Sequence, residues 1–138
     1  MSVANHKFYW PVRVYYEDTD AGGVVFYANY LKFFERARTE MLRASGFEQD
    51  ELIAKSGIIF AVRSVEVDYL RPALFNDQIL VSAKVVLAKK VSVTFEQVIT
   101  RSEEVLCKCT VRIACLDAKS LRPKEIPENL LELLKNEY

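Results

Sequence analysis

Three carboxylates and a glycine pair stand together in Glu17-Asp18-Thr19-Asp20-Ala21-Gly22-Gly23, and Val24-Val25-Phe26-Tyr27-Ala28-Asn29-Tyr30 follows at once. A carboxylate can serve as general base or as nucleophile. The start of a helix offers backbone N–H groups without intrahelical acceptors, at the positive end of the helix dipole. Side by side, the two can activate an attack and stabilise the oxyanion that develops. Asp20 is the candidate working carboxylate. Asp18 and Glu17 read as turn, cap or solvated residues, a common use of acidic side chains ahead of a helix. Gly22 and Gly23 permit backbone angles that other residues resist, and so can bring main chain close to a bound molecule.

The elements on either side must hold this junction. Before it, Phe8 to Tyr16 alternates Val12, Val14 and Tyr16 with Arg13 and Tyr15, the period of a strand. From about Val25 the period becomes helical. Phe26 or Tyr27, Tyr30, Leu31, Phe34, Ala37, Arg38, Met41 and Leu42 form one stripe, opposite Lys32, Arg36, Thr39, Glu40 and Arg43. Gly46 and Phe47 suit a Schellman stop, which gives a helix of about 20 residues. A short helical piece over Glu48 to Lys55 is expected to end at Gly57.

Strands follow. Ile58 to Leu70 is one, broken by Arg71-Pro72. Ile79, Val81, Ala83, Val85 and Leu87 alternate in the next, and Val91, Val93, Phe95, Gln97 and Ile99 in a third. Val105 through Cys115 make the last. Tight polar turns at Lys89-Lys90 and Arg101 to Glu104 predict an antiparallel meander, and Pro127 should open a C-terminal helix. One long helix against an antiparallel sheet of about five strands is an α+β design. Leu80, Val86, Val98, Leu106 and Ala114, of opposite parity, leave the outer sheet face fairly apolar too. A homo-oligomer is therefore expected, as a dimer or a dimer of dimers.

Composition narrows the classes. The 138 residues fit one domain, 1–138, and balance 19 Lys and Arg against 19 Asp and Glu. The absence of a basic excess disfavours nucleic acid as partner. No apolar run approaches the roughly 20 residues of a membrane span, and the first ten residues lack a signal core, so a cytoplasmic protein is the expectation. Cys107, Cys109 and Cys115 share one parity and read as small core residues. With His6 the only histidine, neither a metal nor another cofactor is expected.

Tyr16 through Val25, followed by Tyr27-Ala28-Asn29-Tyr30 and Phe33-Phe34-Glu35-Arg36-Ala37-Arg38, closely resembles the acyl-CoA thioesterases of the 4-hydroxybenzoyl-CoA thioesterase family. Within that family it is most similar to the YbgC-like branch associated with the bacterial Tol-Pal envelope system. The resemblance runs from Trp10-Pro11-Val12 to Ile126-Pro127. It implies a hotdog fold, with a curled sheet around a central helix, and hydrolysis of acyl-CoA.

It also implies that Asp20 is catalytic and that the N–H of Tyr27 polarises the thioester carbonyl. Relatives in that branch commonly carry histidine at the Tyr27 position, but a role played by the backbone survives the change. Gly22, Gly23, Val25 and Phe26 should form the substrate-side wall of the junction. Lys89 and Lys90 are candidates for the CoA phosphates, beside the reading of a solvated turn. Arg63 could line the pocket of a neighbouring subunit. Two other functions stay open. A hotdog dehydratase or hydratase would need an acid–base histidine, for which only His6 is available. A binding module for acyl carrier protein or lipid-synthesis enzymes would hydrolyse thioesters only as a minor property.

Overall fold

A computed structural model describes residues 8–136 of the chain. It contains β1 (Phe8–Arg13), α1 (Asn29–Ala44), α2 (Gln49–Glu51, continuing as a wider helical turn over Leu52–Ser56), β2 (Ile58–Tyr69), β3 (Gln78–Lys89), β4 (Ser92–Arg101), β5 (Glu104–Asp117) and α3 (Glu128–Asn136). The strands form a single antiparallel sheet ordered β1-β3-β4-β5-β2. The hairpins β3–β4–β5 are the expected meander, while β1 and β2 form the two edges.

The core lies between α1 and one sheet face. Tyr30, Phe33, Phe34, Ala37, Met41 and Leu42 are buried along the helix. From the sheet come Ile79, Val81, Ala83 and Val85, then Val93, Phe95, Gln97 and Ile99, and then Cys107, Cys109, Val111, Ile113 and Cys115. The three thiols thus share the inner face, as their parity requires.

Local signals end α1 as the sequence predicts. Gly46 has φ 95°, Phe47 N–H donates to Leu42 O at 2.9 Å and Gly46 N–H to Arg43 O at 3.0 Å. These are the two bonds of a Schellman stop. Gly57 closes the second helical piece in the left-handed region at φ 66°.

Four expectations need correction. β1 stops at Arg13 rather than Tyr16, because Tyr16–Asp18 turns as a single 3-10 turn. α1 has 16 residues and begins at Asn29 rather than near Val25, since Val24 and Val25 are extended and bridge Leu74 and Thr19. The buried stripe takes in Phe33, whereas Leu31 stays 40% exposed on its flank. Likewise Leu87 leaves the inner face, because a register shift between Val85 and Leu87 breaks the alternation of β3.

Candidate active site

Asp20 sits on a miniature hairpin. Its N–H donates to Val24 O at 2.9 Å, and its carbonyl accepts from Gly23 N–H at 3.1 Å. Gly23 is left-handed at φ 81°, which a three-residue loop of this kind requires of its last position. Thr19 pairs with Val25, and Phe26 N–H donates to Asp18 O at 3.0 Å. The ribbon is stitched to the loop before β3 by Val25 N–H, which donates to Ala73 O at 2.9 Å. Its tie to the helix is Asn29 Nδ2, donating to Asp18 O at 2.9 Å.

The carboxylates separate by role. Asp18 Oδ2 accepts the Tyr15 N–H at 2.9 Å, which closes the preceding turn. Asp20 is exposed, and its Oδ1 accepts the Gly22 N–H at 2.8 Å. Among the described residues nothing donates to Asp20 Oδ2. One oxygen is therefore anchored and the other is open to a water or a substrate. Glu17 is exposed.

Tyr27 and Ala28 lead into α1. The Phe26 carbonyl accepts Asn29 N–H at 2.8 Å and the Tyr27 carbonyl accepts Tyr30 N–H at 3.4 Å, so the chain already turns helically here. Neither the Tyr27 N–H nor the Ala28 N–H has an acceptor among the described residues, as the opening of a helix dictates. Around them lies an aromatic shell. The Tyr27 ring meets Phe26 at 4.9 Å and the edge of Tyr69 at 6.1 Å, and Tyr69 meets Tyr30 at 5.5 Å. Tyr69 also donates its hydroxyl hydrogen to Tyr27 O at 3.2 Å, while the Tyr30 hydroxyl accepts Ala73 N–H at 3.0 Å. Desolvation raises the hydroxyl pKa of both Tyr30 and Tyr69.

The fold thus brings Asp20, Gly22, Gly23, Val25, Phe26 and Tyr27 into one locality. Val25 is 4% exposed, with its side chain in the core, while Phe26 and Tyr27 are largely exposed. Lys89 and Lys90 are exposed at the β3–β4 turn, at the opposite end of β3 from the loop that follows β1. Twelve residues at about 3.3 Å each put roughly 36–40 Å between those ends. Arg63 is exposed where β2 shifts register, about 20 Å along the strand from Tyr69. His6 lies outside the described residues. Tyr69 and Asn29 escaped the sequence reading. Asn29 falls within the motif, but Tyr69 is 42 residues from its partner, and nothing local to the end of β2 reveals that contact.

The profile of the thioesterase-like superfamily matches residues 14–134. The acyl-CoA thioesterase YbgC of Haemophilus influenzae is 44% identical over 126 residues, covering 91% of this chain and 93% of that protein. The acyl-CoA thioester hydrolase YbgC of Escherichia coli is 41% identical over 129 residues, covering 93% and 96%. Among solved structures, a probable thioesterase from Bartonella henselae superposes with a TM-score of 0.82 at 34% identity, covering 90% of this chain and all of that one.

Proposed function

The chain belongs to the thioesterase-like superfamily and has its hotdog architecture, and we propose that it hydrolyses acyl-CoA thioesters to free acid and CoA at the Asp20–Tyr27 junction. The observation that carries this reading is the pairing of a half-anchored carboxylate with unsatisfied backbone N–H donors on one short ribbon. Asp20 lies two residues along the ribbon from Asp18, whose carbonyl holds Phe26.

A thioester already carries a good leaving group, so the chain needs to supply only a nucleophile and a place for charge. The substrate carbonyl oxygen accepts the Tyr27 N–H. Asp20 Oδ2 either takes a proton from attacking water or attacks the carbonyl itself to form a mixed anhydride, which a water then hydrolyses to the free acid and the regenerated carboxylate. As the C=O electron pair moves onto oxygen, the N–H and the helix end stabilise it, and the C–S bond then breaks to release CoA thiolate. Gly22 keeps a side chain away from the carboxylate, and Gly23 supplies the left-handed turn that the loop requires.

Purified protein should release thiol from a panel of acyl-CoAs and acyl-carrier-protein thioesters of graded chain length. Asp20→Asn should lower that turnover at least a hundredfold, by the scale seen when a working group is removed. A variant with unchanged turnover would refute the assignment. Acylation of Asp20 detected by mass spectrometry of a quenched single turnover would mark it as the nucleophile.

The working unit in this reading is a homodimer. β2 is a twelve-residue edge strand with Val62 54% and Val65 40% exposed. An unpaired edge of that length and character is ordinarily covered. The groove beside it, lined by Leu31, Phe34, Val65 and Val111, is apolar. In a two-fold assembly Arg63, Lys89 and Lys90 would serve the pocket of the neighbouring subunit, since their distance from Asp20 in their own chain is too great for contact. Among the described residues no helix is long and apolar enough to cross a membrane, and the proposed site of action is the cytoplasm.

A further inference from the structure

We propose that the oxyanion is held by two consecutive amides, those of Tyr27 and Ala28, and that Tyr69 is a positioning residue that pins and polarises the peptide bearing the second. This rests on the reading that the substrate carbonyl oxygen sits at the helix opening.

A trans peptide is planar, so its C=O and N–H point in opposite directions and fixing one aims the other. The Phe26–Tyr27 peptide is fixed by its carbonyl, which accepts Asn29 N–H at 2.8 Å. Its N–H, that of Tyr27, therefore points out of the helix start. The Tyr27–Ala28 peptide stands differently. Its carbonyl has only a long intrahelical bond, 3.4 Å from Tyr30 N–H, too weak to hold the plane alone. The Tyr69 hydroxyl supplies a second donor at 3.2 Å. That same Asn29–Phe26 bond closes a turn in which Ala28, at the third position, has φ −70°, ψ −21°. This is a type I turn, whose second residue, here Tyr27, is helical, so the Ala28 N–H runs nearly parallel to that of Tyr27. Two parallel free donors one residue apart can share one oxygen.

The Tyr69 ring contacts do not require a hydroxyl. Its edge contacts with Tyr27 and Tyr30 would be made equally well by phenylalanine, and the ring is 46% exposed. What tyrosine adds is the O–H, and that O–H is used on the Tyr27 carbonyl. Hydrogen bonds in a chain polarise one another. Donation into this carbonyl withdraws charge through the peptide and strengthens the Ala28 N–H as a donor. At 3.2 Å the bond is longer than the usual O–H···O distance of about 2.7–2.8 Å, so it has room to shorten as charge builds. The effect then grows toward the transition state rather than in the ground state, which is what raises kcat. Desolvation keeps the hydroxyl protonated through neutral pH.

The test is Tyr69→Phe, assayed for turnover and by ¹⁵N NMR. Loss of the hydroxyl should lower kcat roughly three- to tenfold, the weight of one ordinary hydrogen bond, with KM and Tm unchanged. The ¹⁵N resonance of Ala28 should move, while that of Tyr27, whose peptide is held by Asn29, stays. Tyr9→Phe is the control, since it removes a hydroxyl from an exposed side chain on the edge strand β1, and its kcat should stay near wild type. An unchanged kcat, an unmoved Ala28 resonance, or an equal kcat loss in both variants would overturn the inference. The parent reading fails on a separate observation, normal turnover in Asp20→Asn.

Discussion

Gly22 serves Asp20 twice. Its N–H anchors Oδ1, and its lack of a side chain keeps the same oxygen clear, because an added Cβ would stand 3.3 Å from it. Gly22→Ala must therefore push the carboxylate by a few tenths of an ångström. Turnover should fall on the order of three- to tenfold, in keeping with the cost of small misplacements in a reacting geometry, and Tm should change little. Gly23→Ala tests the other half of the turn. Its open surroundings leave room for a Cβ, but φ 81° makes the left-handed strain cost about 1–2 kcal/mol, readable as a lower urea midpoint.

Gln97 is the residue on which the polar interior depends. It is fully buried, its Nε2 donates to Phe34 O at 3.0 Å and Ser82 O at 3.1 Å, and its Oε1 accepts Arg38 Nη1 at 2.9 Å. Both amide hydrogens are thus committed and the oxygen is left facing the guanidinium, whose pKa is lowered by burial. Gln97→Leu would remove a bond from each of the two carbonyls and leave the Arg38 cation without its acceptor, at about 1–3 kcal/mol for an orphaned group. Urea denaturation should show a loss of that order, larger than for truncation of a fully exposed side chain.

At the scale of elements, the proposed dimer rests on the β2 edge. A charge set among exposed valines on an unpaired edge opposes strand addition. Val65→Lys should therefore shift the sedimentation profile from dimer to monomer. A native dimer in the variant would place the interface elsewhere, with the outer sheet face around Leu80 and Val86 the next candidate, since both are exposed. The late start of α1 also belongs to this scale. Helical period begins near Phe26, yet the backbone of Val24 and Val25 pairs with Leu74 and Thr19, and these ties outweigh local propensity. Four residues that would have continued the helix instead become the ribbon and the turn that expose the Tyr27 and Ala28 amides.

For the whole molecule, acid should loosen the fold at its carboxylate ties. The side-chain bond from Arg101 lowers the Glu104 pKa, and backbone donation from Ser120, then Lys119, lowers that of Asp117. A carboxyl with a depressed folded pKa stabilises the native state above its unfolded value, near 4, and loses that contribution as pH falls through the folded value. Tm should therefore decline below about pH 4, and Asp117→Asn should flatten part of the decline. The three thiols predict a separate outcome. Desolvation pushes Cys107 and Cys109 up to about 12 and Cys115 to about 11, so none presents a thiolate at neutral pH. A thiol reagent should find no reactive cysteine in the native protein and three after denaturation, which leaves a thiol-release assay free of background from the enzyme.

Short-range pattern determined most of the architecture by itself. The order of the elements, the Schellman stop at Gly46, the inward parity of the cysteines and the Asp20–Tyr27 junction all depend on residues a few positions apart, where period, glycine and cap chemistry act. Contacts between distant residues decided the rest. Tyr69 reaches Tyr27 across 42 positions, Gln97 reaches Phe34 across 63, and a bulge opposite β4 turns Leu87 outward. None of these leaves a local trace, because each arises when two surfaces pack and a buried carbonyl, a cation or a strand edge must find its partner. The carboxylate and the helix beside it were legible in the chain. The hydroxyl that aims the second amide became visible only once β2 was folded back beside them.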